Sequence, residues 1–222
     1  MNIDVLEVKE NVLADNDAQA QKVRDLLKEK HVYLINLMST PGAGKTTTLV
    51  RTIKALKDQY RIGVMEADVD STVDAQTVTE AGAKALQIHT GGACHMDAEM
   101  TYKGLVQLGL DDVDVVFLEN VGNLVCPAEF DVGANIRVMI LSVPEGDDKP
   151  LKYPLMFSVS DIMLVNKADV KPVFDFDLEK ATERVKALNP EIKVFELSAK
   201  TGEGFDAWIA ELKERLSAYE GH

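Results

Sequence analysis

One stretch limits the possible folds of this chain more than any other. Val32-Tyr-Leu-Ile-Asn-Leu-Met38 is a mostly apolar run of strand length. It breaks into Ser39-Thr-Pro-Gly-Ala-Gly-Lys45-Thr46, and Thr46 to Lys57 continues with Leu49, Ile53 and Leu56 at helical spacing. A strand buried on both faces reads as a continuous apolar run rather than an alternating one. Strand, glycine-rich turn and helix together make the first half of a β-α-β unit, which leads to parallel strands with helices packed on the sheet faces.

The rhythm recurs along the chain. Further strands are expected at Ile62–Ala67, Ala85–His89, Val113–Leu118, Ile136–Val143, Ile162–Asn166 and Lys193–Leu197. Helices are expected at about 74–81, 97–108, 177–188 and 204–218. A first helix over about 17–30 follows the N-cap candidates Asp15-Asn16-Asp17 and places Val23, Leu26 and Leu27 on one face. Residues 144–158 interrupt the pattern and read as a mobile loop followed by a short helix. The expected class is α/β: a three-layer P-loop NTPase fold, with a mostly parallel sheet and helices on both faces. The 222 residues are expected to form a single domain, 1–222, with an N-terminal helical extension over about 1–31.

Composition excludes some functions. Residues AVILMFWYC make up 46%, enough for a sizeable core, yet no apolar run is long enough to span a bilayer. Met1 to Glu10 alternates apolar and charged residues, unlike a secretion signal, so a cytoplasmic location is expected. A net charge of −13 opposes binding to phosphate backbones, and no nucleic-acid or membrane partner is expected.

In such sheets ligands bind at the carboxyl ends of strands, and each motif of this chain begins at such an end. Ser39 to Thr46 resembles the Walker A loop G-x-x-x-x-G-K-[ST], with Ser39 in place of the first glycine. Gly42, Ala43, Gly44 and the helix start at Thr46-Thr47 would turn backbone N–H groups onto phosphate oxygens. Lys45 would contact the β- and γ-phosphates, and the Thr46 hydroxyl would bind Mg²⁺. Asn166-Lys-Ala-Asp169 resembles the guanine-recognition motif N-K-x-D. Asp169 can accept from the guanine N1–H and 2-amino group, a donor pair adenine lacks. Asn166 can bond the base edge or brace loops, and the Lys167 stem can cover the ring face. Ser198-Ala199-Lys200 resembles the second guanine loop, whose backbone N–H meets O6. Together these favour GTP over ATP.

Glu119-Asn120-Val121-Gly122 resembles the switch motif D-x-x-G with Glu for Asp. Glu119 would hold Mg²⁺ directly or through water. The Gly122 N–H would meet the γ-phosphate, and hydrolysis would break that bond. In Glu66-Ala-Asp68-Val-Asp70-Ser-Thr-Val-Asp74, Asp68 could brace the phosphate loop or Mg²⁺, and Asp74 could position water or a Mg²⁺-bound water. Asp70 or Ser71 equally suits a helix cap. No Gln follows the switch glycine to orient water, so slow intrinsic hydrolysis is expected.

The chain has two cysteines. Cys94 is followed directly by His95, and Cys126 lies four residues beyond Gly122. Thiolate and imidazole suit Ni²⁺ or Zn²⁺. Three ligands fall short of the four of a closed zinc site, so water or a second chain would complete the shell. Adjacent Cys94 and His95 could bind one ion in a turn, or two ions across a symmetric interface. His31, His89 and His222 are assigned no role.

Taken together, these motifs resemble the hydrogenase nickel-incorporation GTPases (the HypB family), of the dimer-forming class of P-loop GTPases. The carriers are Asn16 with its helix, Asn36 to Thr46, Gly91-Gly-Ala-Cys-His95, Glu119 to Pro127 and Asn166 to Asp169. The resemblance implies slow GTP hydrolysis and nickel delivery during [NiFe]-hydrogenase assembly. It also implies metal binding at Cys94, His95 and Cys126 near a GTP-promoted homodimer interface. A nickel metallochaperone and the hydrogenase large subunit are the implied partners. The N-terminal cysteine motif and His-rich tract of some members are missing. The remaining readings are a sibling serving urease or a cobalamin enzyme, and a non-enzymatic metal-binding scaffold.

Overall fold

The computed structural model describes residues 8–68 and 73–220, without the side chains of 8–11, 68, 73–75 and 220. Seven strands form one sheet: β1 (Tyr33–Ser39), β2 (Ile62–Asp68), β3 (Lys84–His89), β4 (Val115–Glu119), β5 (Ile136–Ser142), β6 (Ile162–Asn166) and β7 (Lys193–Glu196). Their order is β3-β2-β4-β1-β5-β6-β7, and every pairing is parallel.

The sheet has two apolar faces because its central strands are apolar at nearly every position. Ile35, Leu37, Phe117 and Val138 project to one face, under α2 (Lys45–Leu56), α3 (Val73–Ala81) and α9 (Phe205–Glu220). There the fully buried Trp208 of α9 donates its indole N–H to Thr52 Oγ1 of α2 at 3.1 Å. Leu34, Met65, Val116 and Leu118 project to the other face, under α1 (Val8–Lys30) and α4 (Ala98–Leu108). Met139, Leu141 and Met163 share that face, under α7 (Pro154–Ser158) and α8 (Leu178–Leu188). This is the three-layer α/β arrangement expected, with an all-parallel sheet. No helix among the described residues is long and apolar enough to cross a membrane.

Two expectations change. α1 starts at Val8, so Asp15, Asn16 and Asp17 lie inside the helix rather than at its cap. The buried Asn16 side chain instead bonds the Ala98 N–H and the Asp131 carbonyl, partners that local sequence does not reveal. Residues 144–158 are a chain of short helical turns, including α6 (Lys149–Lys152), rather than a mobile loop. Glu145 ties the segment at its start, accepting from the Ser142 N–H and hydroxyl and from Thr40 Oγ1. Asp147 ties it further on, bonding Arg184 and the Asp177 N–H. The expected cap at Asp70 or Ser71 lies outside the described residues, as do the side chains of Asp68 and Asp74.

Candidate functional site

β1 ends at Ser39, and the loop after it turns into α2 at Lys45. Gly44 sits at φ +97°, and a Cβ there would lie 2.4 Å from Asn166 Nδ2. Only glycine combines that left-handed backbone with such close approach. Ser39, the departure from the Walker pattern, is fully buried, and its hydroxyl accepts from Lys45 Nζ at 3.1 Å. The replacement thus holds the lysine at the strand end.

A cleft of about 790 Å³ opens along this loop, lined by Gly42, Lys45, Thr46, Thr47, Glu119 and Gly122 among others. Thr46 Oγ1 donates to Glu119 Oε1 at 2.9 Å. Glu119 is buried, and the equally buried Glu66 lies opposite it in the β2–β4 pairing. A hydroxyl with neighbouring carboxylates is the oxygen donor set that Mg²⁺ takes, so the residues fit that ion. Gly122 closes over the loop: a Cβ on it would stand 3.0 Å from Pro41 N.

The cleft continues into a pocket of about 200 Å³ that includes Gly44, Asn166, Lys167, Asp169, Ala199 and Lys200. Its walls are bonded to one another. Asn166 Nδ2 donates to the Ala43 carbonyl at 2.9 Å, and the Ala199 N–H donates to Asn166 Oδ1 at 3.0 Å. Asn166 therefore braces loops, and a base O6 would share the Ala199 donor or take the Lys200 N–H. Lys167, in a left-handed conformation at φ 64°, reaches across to the Gly42 carbonyl at 2.6 Å. Ser198 donates to Asp169 Oδ1 at 2.6 Å, leaving the other carboxylate oxygen for a base.

The third cluster lies just beyond the switch segment. A turn at Gly91-Gly92 delivers Cys94 and His95, and the short helix α5 (Cys126–Glu129) delivers Cys126. Cys94 Sγ lies 2.7 Å from Cys126 Sγ and 3.6 Å from His95 Nδ1. The three donor atoms all lie within 4.8 Å of one another, so a single ion could meet them all. Cys94 and His95 lie on a bend just after that turn, where the donors of both can face one point. The His95 ring stacks on Phe130 with centroids 3.9 Å apart. Burial pushes its pKa down against the pull of Asp97 and Glu129, favouring the neutral ring that can ligate. The Cys126 thiol is pushed up by its hydrogen bond with Cys94 and by burial. Two sulfurs and one imidazole suit Ni²⁺ or Zn²⁺.

Sequence reasoning passed over several residues. Arg51 donates to the Ala199 and Lys200 carbonyls and so positions the second base loop. Asn120, Asn123 and Phe130 surround the Cys/His cluster. Asn120 and Asn123 stand within the switch segment, but nothing local indicates their partners.

Fold and site together define the class: a P-loop GTPase domain with a thiol–imidazole cluster beside its switch segment. A family model described as "CobW/HypB/UreG, nucleotide-binding domain" matches residues 33–196. The hydrogenase maturation factor HypB of Escherichia coli is 44% identical over 214 residues, spanning 96% of this chain and 74% of that one. The hydrogenase/urease maturation factor HypB of Helicobacter hepaticus is 40% identical, spanning 100% of this chain and 93% of that one. The crystal structure of HypB from Helicobacter pylori in complex with nickel superposes with a TM-score of 0.86 at 37% identity, spanning 92% of this chain and 96% of that one. The chain belongs to the CobW/HypB/UreG family and, within it, to the HypB hydrogenase maturation factors.

Proposed function

We propose that this protein hydrolyses GTP slowly and uses the nucleotide state to control a nickel site during [NiFe]-hydrogenase maturation. The observation that carries this reading is the convergence of Cys94, His95 and Cys126 within 4.8 Å, beside the segment whose Gly122 closes over the phosphate loop. A relative of known structure binds nickel, and the donor set here suits the same ion.

In the proposed mechanism the N–H groups of Gly42 to Thr47 and Lys45 hold the triphosphate, and Asp169 holds the guanine edge. Water attacks the γ-phosphorus, the bond to the β–γ bridging oxygen breaks, and GDP and phosphate leave. Lys45 stabilises the negative charge that builds on the leaving diphosphate. Thr46 and Glu119 would hold Mg²⁺, which would supply charge compensation for the phosphate oxygens. Asp68 or Asp74 is proposed to assist, Asp74 by placing the attacking water. The Gly122 N–H bonds the γ-phosphate before cleavage and releases it afterwards.

Nickel, or zinc in its place, is cargo. With three protein donors, the site takes a fourth from water or from the second copy of a GTP-promoted homodimer. A nickel metallochaperone and the hydrogenase large subunit are the proposed partners, and the cytosol, where thiols stay reduced, is the proposed location. A second reading, delivery to urease, is favoured by the Helicobacter hepaticus relative, whose name includes that role. Restoration of hydrogenase but not urease activity in a strain lacking the native factor would decide between them.

The deciding experiment is the nickel affinity of the full chain with GDP and with a non-hydrolysable GTP analogue. Coupling requires unequal affinities, because a ligand without differential binding shifts no equilibrium.

A further inference from the structure

The loop carrying Cys94 and His95 hangs on three asparagine side chains at alternate residues. Asn123 Nδ2 donates to the Cys94 carbonyl at 3.3 Å. The Met96 N–H donates to Asn120 Oδ1 at 3.0 Å, and the Ala98 N–H donates to Asn16 Oδ1 at 3.0 Å. The three have different footings. Asn120 and Asn123 flank Val121-Gly122, which lines the phosphate cleft. Asn16 belongs to α1, and its Nδ2 donates to the Asp131 carbonyl at 2.8 Å, just past the helix that carries Cys126. Asn16 therefore joins the two arms of the metal centre to each other.

Asn120 is 1% exposed and bonded through both its backbone and its side chain. Its N–H donates to the Leu37 carbonyl at 3.0 Å, and its Nδ2 donates to Asn36 Oδ1 at 3.1 Å, both on the strand that runs into the phosphate loop. Its Oδ1 accepts from two backbone donors at once: Val121, in the switch, at 2.9 Å, and Met96, next to His95, at 3.0 Å.

We propose that Asn120 is the positioning residue through which the nucleotide state reaches the metal centre, and that Asn16 is the fixed anchor of the same loop. This rests on the coupling reading above and names the residue that carries it. One oxygen serves the switch amide and the metal-loop amide. When Val121-Gly122 shifts towards or away from a γ-phosphate, the Met96 N–H must follow that oxygen or lose its acceptor in a buried place, which is costly. His95 precedes Met96 and moves with it. The Asn16 side chain spans the two metal arms, so it sets the spacing of the donors in either nucleotide state.

The test is the nickel dissociation constant of the full chain with GDP and with a non-hydrolysable GTP analogue, in wild type, Asn120→Ala and Asn16→Ala. The wild-type ratio of the two constants should differ from one. Asn120→Ala should bring it to within about twofold of one. Asn16→Ala should weaken nickel binding about tenfold in both states and leave the ratio as in wild type. A wild-type ratio retained in Asn120→Ala overturns the relay alone. A wild-type ratio of one overturns the coupling reading and the relay with it. Should Asn120→Ala fail to fold, hydrogen exchange at the Met96 amide of the wild type decides. The relay requires its protection to differ between the two nucleotide states, and equal protection overturns it.

Discussion

The two ends of the cleft are tied together to different extents. At the base end, four side chains join the loops to one another. Asn166 joins Ala43 to Ala199, Lys167 reaches Gly42, Ser198 holds Asp169, and Arg51 fixes the Ala199 and Lys200 carbonyls. At the phosphate–metal end, the Cys94–His95 loop meets the switch through amide side chains that each touch a single backbone group of that loop. Base recognition profits from walls that do not move, because ordering them on binding would cost affinity. Coupling needs an element with two arrangements that both ligands can bias. On the proposed coupling, one sheet carries a firmly braced base reader at one end and, at the other, a link that must have two arrangements.

The largest expected effect removes the lysine of the phosphate loop. Lys45→Ala should lower the single-turnover rate of GTP hydrolysis by about 10²–10³-fold or more. Hydrolysis within tenfold of wild type would show that the chemistry does not run through this loop. Next in size, Cys126→Ala should weaken nickel binding by more than the roughly 10–100-fold that loss of an outer-shell partner costs. Titration with a fluorescent GTP should stay within about twofold of wild type if metal binding and nucleotide binding are separable. A joint collapse would make Cys126 a packing residue of the switch, and the two ends would no longer be distinct.

At the rigid end, Asp169→Ala should reduce GTP affinity by about 1.5–3 kcal/mol, the range for hydrogen bonds to a charged group, and leave ATP affinity unchanged. Calorimetry with both nucleotides checks this, and equal losses for the two would remove base reading from Asp169. The smallest effect concerns Asp131, which anchors the metal arm to α1. Burial pushes its carboxyl up, but the Gly133 N–H, Arg137 and Arg24 pull it below the ordinary range. A depressed carboxylate pKa contributes stability above its unfolded value of about 3.9, which is lost as pH falls through the folded value. Asp131→Asn should therefore cost about 1–2 kcal/mol at pH 7 and flatten the loss of stability below about pH 4. Urea midpoints of both proteins across pH would show it, and parallel curves would count against the ion cluster.

The base and phosphate motifs were legible because each is a short run of neighbouring residues at a strand end. Ser39 to Thr46 and Asn166 to Asp169 can be read without knowing what packs against them. The role of Asn120 was not, since its partners Asn36 and Met96 lie 84 and 24 residues away. Asn16 invited a capping reading on residue type, and distant partners overrode it. Residues 144–158 looked irregular because their order comes from Thr40 and Arg184, outside the segment.

Apolar periodicity was enough to establish strands, helices and the class of fold, because it depends on neighbours a few residues apart. It also placed a glycine loop, a guanine-type motif and two thiols on connecting segments. The meeting of Cys94 and His95 with Cys126 came from the sheet order, which sets β4 between β2 and β1 and so brings the segments after β3 and β4 to the same edge of the cleft. So did the suspension of that metal loop on asparagines from α1 and the switch. Hydrogen bonds between buried groups distant in the chain are chosen by packing in three dimensions, and no local pattern encodes them.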